Sequence, residues 1–335
     1  MKRLMLNQLL AFIISAPVLA IAVLGGFLAK TSYEDYRQMK YAADLEALGN
    51  TGGQLAETLP VEVFSAPSEL AAARKNTDAL YDKLLVEFDA LNSDDPELNR
   101  LRQSFAQSRA NVAAFRSEVA KGNGSPILGV KYLQPISALG IDVTMRGASI
   151  IPDYELSKSL YAYYAALQIR DSHNMINSVM HPILSSGKAA TPELAVALRA
   201  QYLEQNNSAL FHGNGPGAAV DAYKAYLQGP AGTGFTAFLQ TLVGSKGEAL
   251  PADMAQQWAK INGARDKITQ QMIADARMAS SALASVKLGQ AWSLFLIYLI
   301  GTVSVLFISI VASILGLKVI RSLIRDSQAS LAQLA

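Results

Sequence analysis

The sequence contains no cysteine, only three histidines, and 17% charged residues in a chain of 335. Without cysteine there are no disulfides, thiolate metal sites, cysteine nucleophiles or iron–sulfur clusters, a composition that suits an exported bacterial segment. Charge of one sign is missing too: 29 Lys and Arg stand against 27 Asp and Glu with no basic cluster. That removes the electrostatic footprint of a nucleic-acid binder. His173 and His181 are eight residues apart, about 80° around a helix, and neither they nor His212 has a carboxylate at ligand spacing. No metal and no cofactor is expected. No serine sits in a nucleophile-elbow context, so the chain reads as a non-enzyme. The run Gly229 to Thr236 comes near a P-loop, but Phe235 stands where the phosphate-binding lysine is required. It reads as a glycine-rich helix–helix turn.

What is present in excess is apolar, and it sits at the two ends. No charged residue falls between Leu4 and Ala29, nor between Ala291 and Leu317. Each run is long enough to cross about 30 Å of hydrocarbon. The first outlasts the roughly 7–15 apolar residues of a signal peptide and reads as an uncleaved anchor, with Pro17 predicting a kink in mid-span. Lys2 and Arg3 precede it, and Lys318, Arg321 and Arg325 follow the second, so the positive-inside rule places both termini in the cytoplasm. The expected organisation is a cytoplasmic N-terminus (1–8), a first span (9–29), a periplasmic domain (30–290), a second span (291–317) and a cytoplasmic stub (318–335). Trp292 suits an interfacial belt, and Tyr298 either that belt or helix packing. Setting aside the six basic residues in or beside the spans leaves 23 basic against 26 acidic residues in 31–290. The middle is mildly acidic.

Its periodicity is helical throughout. Tyr41, Leu45 and Leu48 step by four and three; Met254, Trp258, Ile261, Ile268 and Met272 continue the same kind of stripe. Helix starts are predicted at Pro67-Ser68-Glu69-Leu70, Asp95-Pro96-Glu97-Leu98, Pro152 to Leu156, Thr191-Pro192-Glu193-Leu194 and Pro251-Ala252-Asp253-Met254. Proline fits the first turn, the acid faces the positive end of the helix dipole, and Asp95 and Thr191 are expected N-caps. Breaks are expected at 49–53, 92–94, 122–126, 185–187, 213–217 and 229–232. The result is an all-α protein, about eight helices arranged as two packed four-helix bundles. Residues 31–48 and 252–290 run into the spans without a strong breaker, a layout that would pass a small slide, rotation or tilt inward.

Several groups follow in order: Ser65 to Leu70 with Arg74 and Thr77-Asp78; Arg109 with Val112, then Tyr132; Pro152 to Leu156, Tyr163-Tyr164 and Arg170-Asp171; Ser186-Gly187-Lys188 and Pro192 to Leu194; and Leu227 to Pro230, Trp258, Ile261 and Ile268. Their order and spacing resemble the NIT family, the nitrate- and nitrite-sensing module of bacterial transmembrane receptors. Val319 to Asp326 is similar to the opening of a HAMP linker, with Asp326 near the usual proline and no output module in the residues that follow. The resemblance implies two packed four-helix bundles and a pocket for a planar anion, bound by arginines of glutamate-arginine motifs. Those motifs fall here on Thr58-Leu59-Pro60 and Ile176-Asn177.

The residues expected to line such a pocket are Arg170, His173, Asn174 and Asn177, on one helical face by spacing of three and four, with Arg74 and Arg146 nearby. Tyr161, Tyr163 and Tyr164 are read as core. The function expected is that of a membrane-anchored, homodimeric receptor in the inner membrane. It would take a small solute, a nitrate- or nitrite-type anion by resemblance, and signal through the second span to a cytoplasmic or membrane partner. A scaffold acting on a partner receptor is the other reading. The expected partners are thus the lipid bilayer, a second copy, a small anion and a signalling protein, with no nucleic acid.

Overall fold

Short capping motifs decide where the helices begin. Asp95 accepts from the Leu98 amide at 2.9 Å and Asp153 from that of Leu156 at 2.9 Å, so each side chain satisfies a backbone donor that the first helical turn leaves open. In this computed structural model, which describes residues 2–123 and 126–334 and the side chains of 16–123 and 126–327, ten α-helices follow one another. They are α1 (Lys2–Phe64), α2 (Leu70–Leu91), α3 (Pro96–Glu118), α4 (Pro126–Tyr132), α5 (Gln134–Ile150), α6 (Tyr154–Ser186), α7 (Thr191–Asn214), α8 (Gly217–Gln228), α9 (Pro230–Gly244) and α10 (Met254–Leu334). A π-helical turn, Val119–Asn123, closes α3 at Gly122, whose φ of 85° suits glycine. Among the described residues there is no strand, only an isolated bridge between Lys188 and Ala249. The predicted break at 122–126 includes Gly124 and Ser125, which lie outside the described residues.

Two expectations about boundaries are corrected. Thr191 is the first helical residue of α7 and Ala190 occupies the N-cap without a side-chain bond: the Leu194 amide donates to the Ala190 carbonyl at 3.1 Å, which starts the helical ladder one residue earlier and leaves Pro192 still within the first turn. The run Gly49 to Gly53 is not a break. It lies inside α1, where small residues let other helices approach closely. A Cβ on Gly52 would stand 2.7 Å from the Gly140 carbonyl oxygen of α5, and one on Gly53 would stand 2.2 Å from the Tyr163 hydroxyl of α6. Thr144 Oγ1 donates to the Gly49 carbonyl at 2.8 Å and Ser137 Oγ to that of Ala56 at 3.1 Å. α1 is helical across both Pro17 and Pro60.

The chain divides into two units, Tyr41–Ser285 and the two ends, Met1–Lys40 with Val286–Ala335. In the first unit, α1 from Tyr41 onward, α2, α3 and α5 form one bundle. Its core holds Leu45, Leu48, Tyr81, Phe105, Phe115, Ile136 and Ile141, each no more than 2% exposed. The second bundle closes over Ile176, Val179, Ile183, Ala200, Phe238, Leu242 and Met254, from α6, α7, α9 and α10. α6 serves both: its first half packs on the first bundle, with Ser157 Oγ donating to the Ala148 carbonyl at 2.6 Å and Tyr163 fully buried. The stripe of α10 does likewise, since Met272, Ile273 and Ala276 are buried beyond Trp258 and Ile261.

Polar groups tie the first bundle across its seams. The Arg116 guanidinium holds the buried Glu62 carboxylate through two bonds of 2.7 and 3.0 Å and reaches Asp78 at 3.0 Å, joining α3, α1 and α2. Glu46 accepts from Asn50 Nδ2 at 2.6 Å, from Ser281 Oγ at 3.1 Å and from Ser280 Oγ. Burial holds its carboxyl above the usual range, against those hydrogen bonds.

The second unit carries the two stretches long and apolar enough to cross a membrane, which fall within Ala16–Phe64 and Met254–Ser327. Its aromatic residues gather: Tyr36 lies 4.9 Å from Trp292 and Tyr33 5.3 Å from Phe295, between ring centroids. Gly25 meets Thr302, where a Cβ would come within 2.4 Å of the threonine methyl. Tyr298 is 41% exposed and lies outside the aromatic group.

Candidate solute-binding groove

Polar residues at helical spacing on α6 and α10 face one another across a groove. On α10 the row is Trp258, Asn262, Asp266 and Gln270, each four residues from the last; on α6 it is Arg170, Asn174, Asn177 and His181. The end of α1 supplies the third wall with Glu57, Pro60, Val61 and Phe64, and Glu69 also lines the groove. The groove encloses about 990 Å³. Arg170, Asn174 and Asn177 of the α6 row were legible from their spacing; His181, one turn further on, was not placed on that face. The α10 row is equally periodic but lies beside the apolar stripe on the same helix, and only the fold shows that the two rows meet.

Three of the six expected residues line this groove, namely Arg170, Asn174 and Asn177. Arg170 is committed: Nη1 donates to Asp266 Oδ1 at 2.5 Å and to Thr269 Oγ1 at 3.0 Å. Asn174 is 9% exposed and stands between the groove and a small cavity of about 30 Å³ beside Asp171. Asn177 places Nδ2 3.0 Å from His173 Nε2, and its Oδ1 is buried without a partner, as is Oδ1 of Asn262 on the facing wall.

The other three lie elsewhere. His173 is fully buried behind the lining, and desolvation together with the nearby Arg265 and Arg170 holds its pKa well below the usual histidine value. It is a neutral ring that positions Asn177. Arg74 belongs to the Glu62–Arg116–Asp78 group: its carbonyl accepts from Arg116 at 3.3 Å and its Nε lies 3.9 Å from Glu62. Arg146 pairs with Asp95, the N-cap of α3, and that bond holds the Asp95 carboxyl below its usual pKa. Both arginines are occupied in joining helices of the first bundle.

Carboxylates outnumber cations along the groove. Glu57, Glu69 and Asp266 line it, and among the described lining residues Arg170 is the one permanent cation. Burial raises the pKa of Glu57, opposed by Arg277, whose Nη1 lies 3.2 Å from Oε1. Asp171, behind the wall, is pushed up to about 6 by burial, with Gln134 Nε2 donating to it at 3.2 Å. Tyr163 is core, and Tyr161 and Tyr164 are half-buried outside the groove. The segments that stand in place of the arginine motifs do converge here: Pro60 and Asn177 are lining residues, while Leu59 and Ile176 turn fully into the core. The run 229–236, expected as a glycine-rich turn, is helical from Pro230 onward: only Gly229 stands between α8 and α9, and Phe235 is buried.

Comparison with known proteins bears on the fold. A solved structure described as the NasR transcription antiterminator is similar over 84% of this chain and 83% of that one, with a TM-score of 0.58 at 12% identity, a likeness of fold. No curated protein matches the chain. The family model for NIT, nitrate and nitrite sensing, matches residues 47–286, well over half of the chain and nearly all of both bundles. The chain belongs to the NIT family.

Proposed function

We propose that this protein is a membrane-anchored sensor, in which the α1/α6/α10 groove takes a small polar solute and the resulting change in packing is passed through α10 to a cytoplasmic partner. Family membership supports the sensing role. The observation that carries the groove is Asn174, nine-tenths buried at its wall, with the unpartnered amide oxygens of Asn177 and Asn262 beside it. Buried amides of this kind cost free energy until a ligand or ordered water meets them. Two apolar helical stretches support anchoring in a bilayer, and the flanking basic residues favour an inner-membrane protein with both ends inside and the bundles in the periplasm. Solute binding would shift the signalling equilibrium only by its difference in affinity for two packings of these helices. The homodimer expected of such a receptor remains part of this reading.

The chemistry of the walls bears on the ligand. Nitrate or nitrite is the class named for the family, yet the groove meets a planar anion with three carboxylates and an arginine already bound to Asp266. A solute that brings its own donors suits these walls better. The same observation favours a second reading, a regulatory scaffold whose ligand site has lapsed. Titration calorimetry on the full chain in detergent, against nitrate, nitrite, formate and small amines, separates the two. Saturable heat from one solute, lost in Asn174→Leu, supports the sensor. Absence of heat across the series from a folded protein favours the scaffold.

A further inference from the structure

The second bundle contains another cavity, about 200 Å³, walled by α7, α8 and α9 and sharing no lining residue with the groove. At roughly 30 Å³ per water it has room for several heavy atoms. Glu204 and Ser208 of α7 face Tyr223 and Tyr226 of α8 across it, with Phe235 of α9 beneath. Behind Phe235 lies Arg265 of α10, fully buried, its guanidinium carbon 3.7 Å from the centre of the phenyl ring. Arg265 Nη2 donates to Glu204 Oε2 at 2.5 Å.

This cluster is unfinished as a hydrogen-bonded core. Nε and Nη1 of Arg265 are buried without acceptors, and so are the hydroxyls of Tyr223 and Tyr226. Ser208 approaches the Tyr223 hydroxyl and Arg265 that of Tyr226, but neither pair reaches ordinary bonding geometry. Burial raises both phenols above the usual tyrosine range, so they stay protonated and can donate. Two lining donors, the hydroxyls of Tyr223 and Tyr226, thus lack an acceptor at this cavity, while Glu204 has only Oε2 engaged with the guanidinium behind it. Unmet buried donors are each costly, and a core built for stability alone would place apolar groups here.

We infer that this cavity is a second binding site, for a small zwitterion of α-amino-acid size, held through its carboxylate by the two tyrosine hydroxyls and through its ammonium by Glu204, whose own charge partner is Arg265 behind the wall. The built-in charges, one guanidinium and one carboxylate, already balance. A ligand of zero net charge enters without leaving a buried charge unpaired, whereas a bare anion or cation would leave one. The site is independent of the groove proposed above and stands or falls separately.

The test uses the full chain in detergent, with each of the twenty L-amino acids at 1 mM and with acetate and methylamine as the two half-ligands, followed by thermal unfolding and calorimetry. At least one amino acid is expected to raise the melting temperature by 2 °C or more, and each half-ligand by less. Tyr226→Phe, which removes one hydroxyl and keeps the ring, is expected to weaken binding at least tenfold, while Asn177→Ala in the groove leaves it unchanged. Tyr223→Phe is the substitute if Tyr226→Phe does not fold. No shift with any of the twenty, binding that survives loss of the hydroxyl, or binding abolished by Asn177→Ala would each overturn the assignment. The last result would place the ligand in the groove.

Discussion

Arg170 and Asp266 face each other across the groove at 2.5 Å, so the one arginine lining the candidate site is already spent on an acidic neighbour. A charge-assisted hydrogen bond contributes about 1.5–3 kcal/mol, and an incoming anion must compete with this one. Asp266→Asn keeps the shape and removes the competing charge. Nitrate affinity is expected to rise about tenfold or more in that variant over the native chain, measured by calorimetry with sodium chloride as the control. Equal affinities would mean that Asp266 does not set the anion response.

Asp171 makes stability depend on pH. Its carboxyl titrates near 6 when folded, against 3.8 for an ordinary aspartate, so the native state holds the proton more tightly than the unfolded chain. The associated stability is fully present below about pH 4 and is lost as pH rises through about 6, roughly 3 kcal/mol in all. Asp171→Asn should melt about 6–12 °C higher than the native protein at pH 7.5 and close to it at pH 4. A variant that melts no higher at pH 7.5 would rule this account out.

Two glycines of opposite surroundings give a paired test of the seam between α1 and α5. Gly52→Ala pushes a Cβ against the Gly140 carbonyl, which cannot rotate away, and is expected to cost about 1–3 kcal/mol. Gly263 has no atom within 4 Å of a new Cβ, so Gly263→Ala should gain about 0.8–1 kcal/mol of helix propensity. Melting curves that shift in the same direction for both would refute the distinction.

Glu62 is fully buried at its side chain, and Arg116, 22% exposed, supplies its bidentate partner. Arg116→Met leaves that carboxylate without its main partner. The expected loss lies at or below the lower end of the about 3–5 kcal/mol measured for broken buried pairs, because solvent screens part of the interaction. Chemical denaturation of the two proteins in the same detergent would show it, and an unchanged midpoint would mean that Arg74 alone suffices.

Much of this was legible from residue spacing. The helical stripes, the cap at Asp95, the helix start at 152–156 and the polar face of α6 are all local patterns, readable within a turn or two. Gly49 to Gly53 misled because glycine serves equally to end a helix and to let one pass close to another, and only Gly140 and Tyr163, far along the chain, decide between them. Arg74 and Arg146 misled for a related reason. A lone arginine carries no mark of whether its acceptor is a ligand or, as here, Glu62 and Asp95. The groove itself needed Asp266 set beside Arg170, a juxtaposition across 96 residues that no short pattern contains.

The pairing of Glu46 and Asn50 with Ser280 and Ser281 also bears on how the protein is made. These partners are 231 to 235 residues apart. During synthesis α1 emerges with a carboxylate and an amide on its inner face and waits for nearly the whole domain to follow before those groups can be enclosed with their bonds made. The ribosome must therefore deliver residue 281 before this stretch of α1 is closed over, so an early part of the domain is among the last to be locked in place.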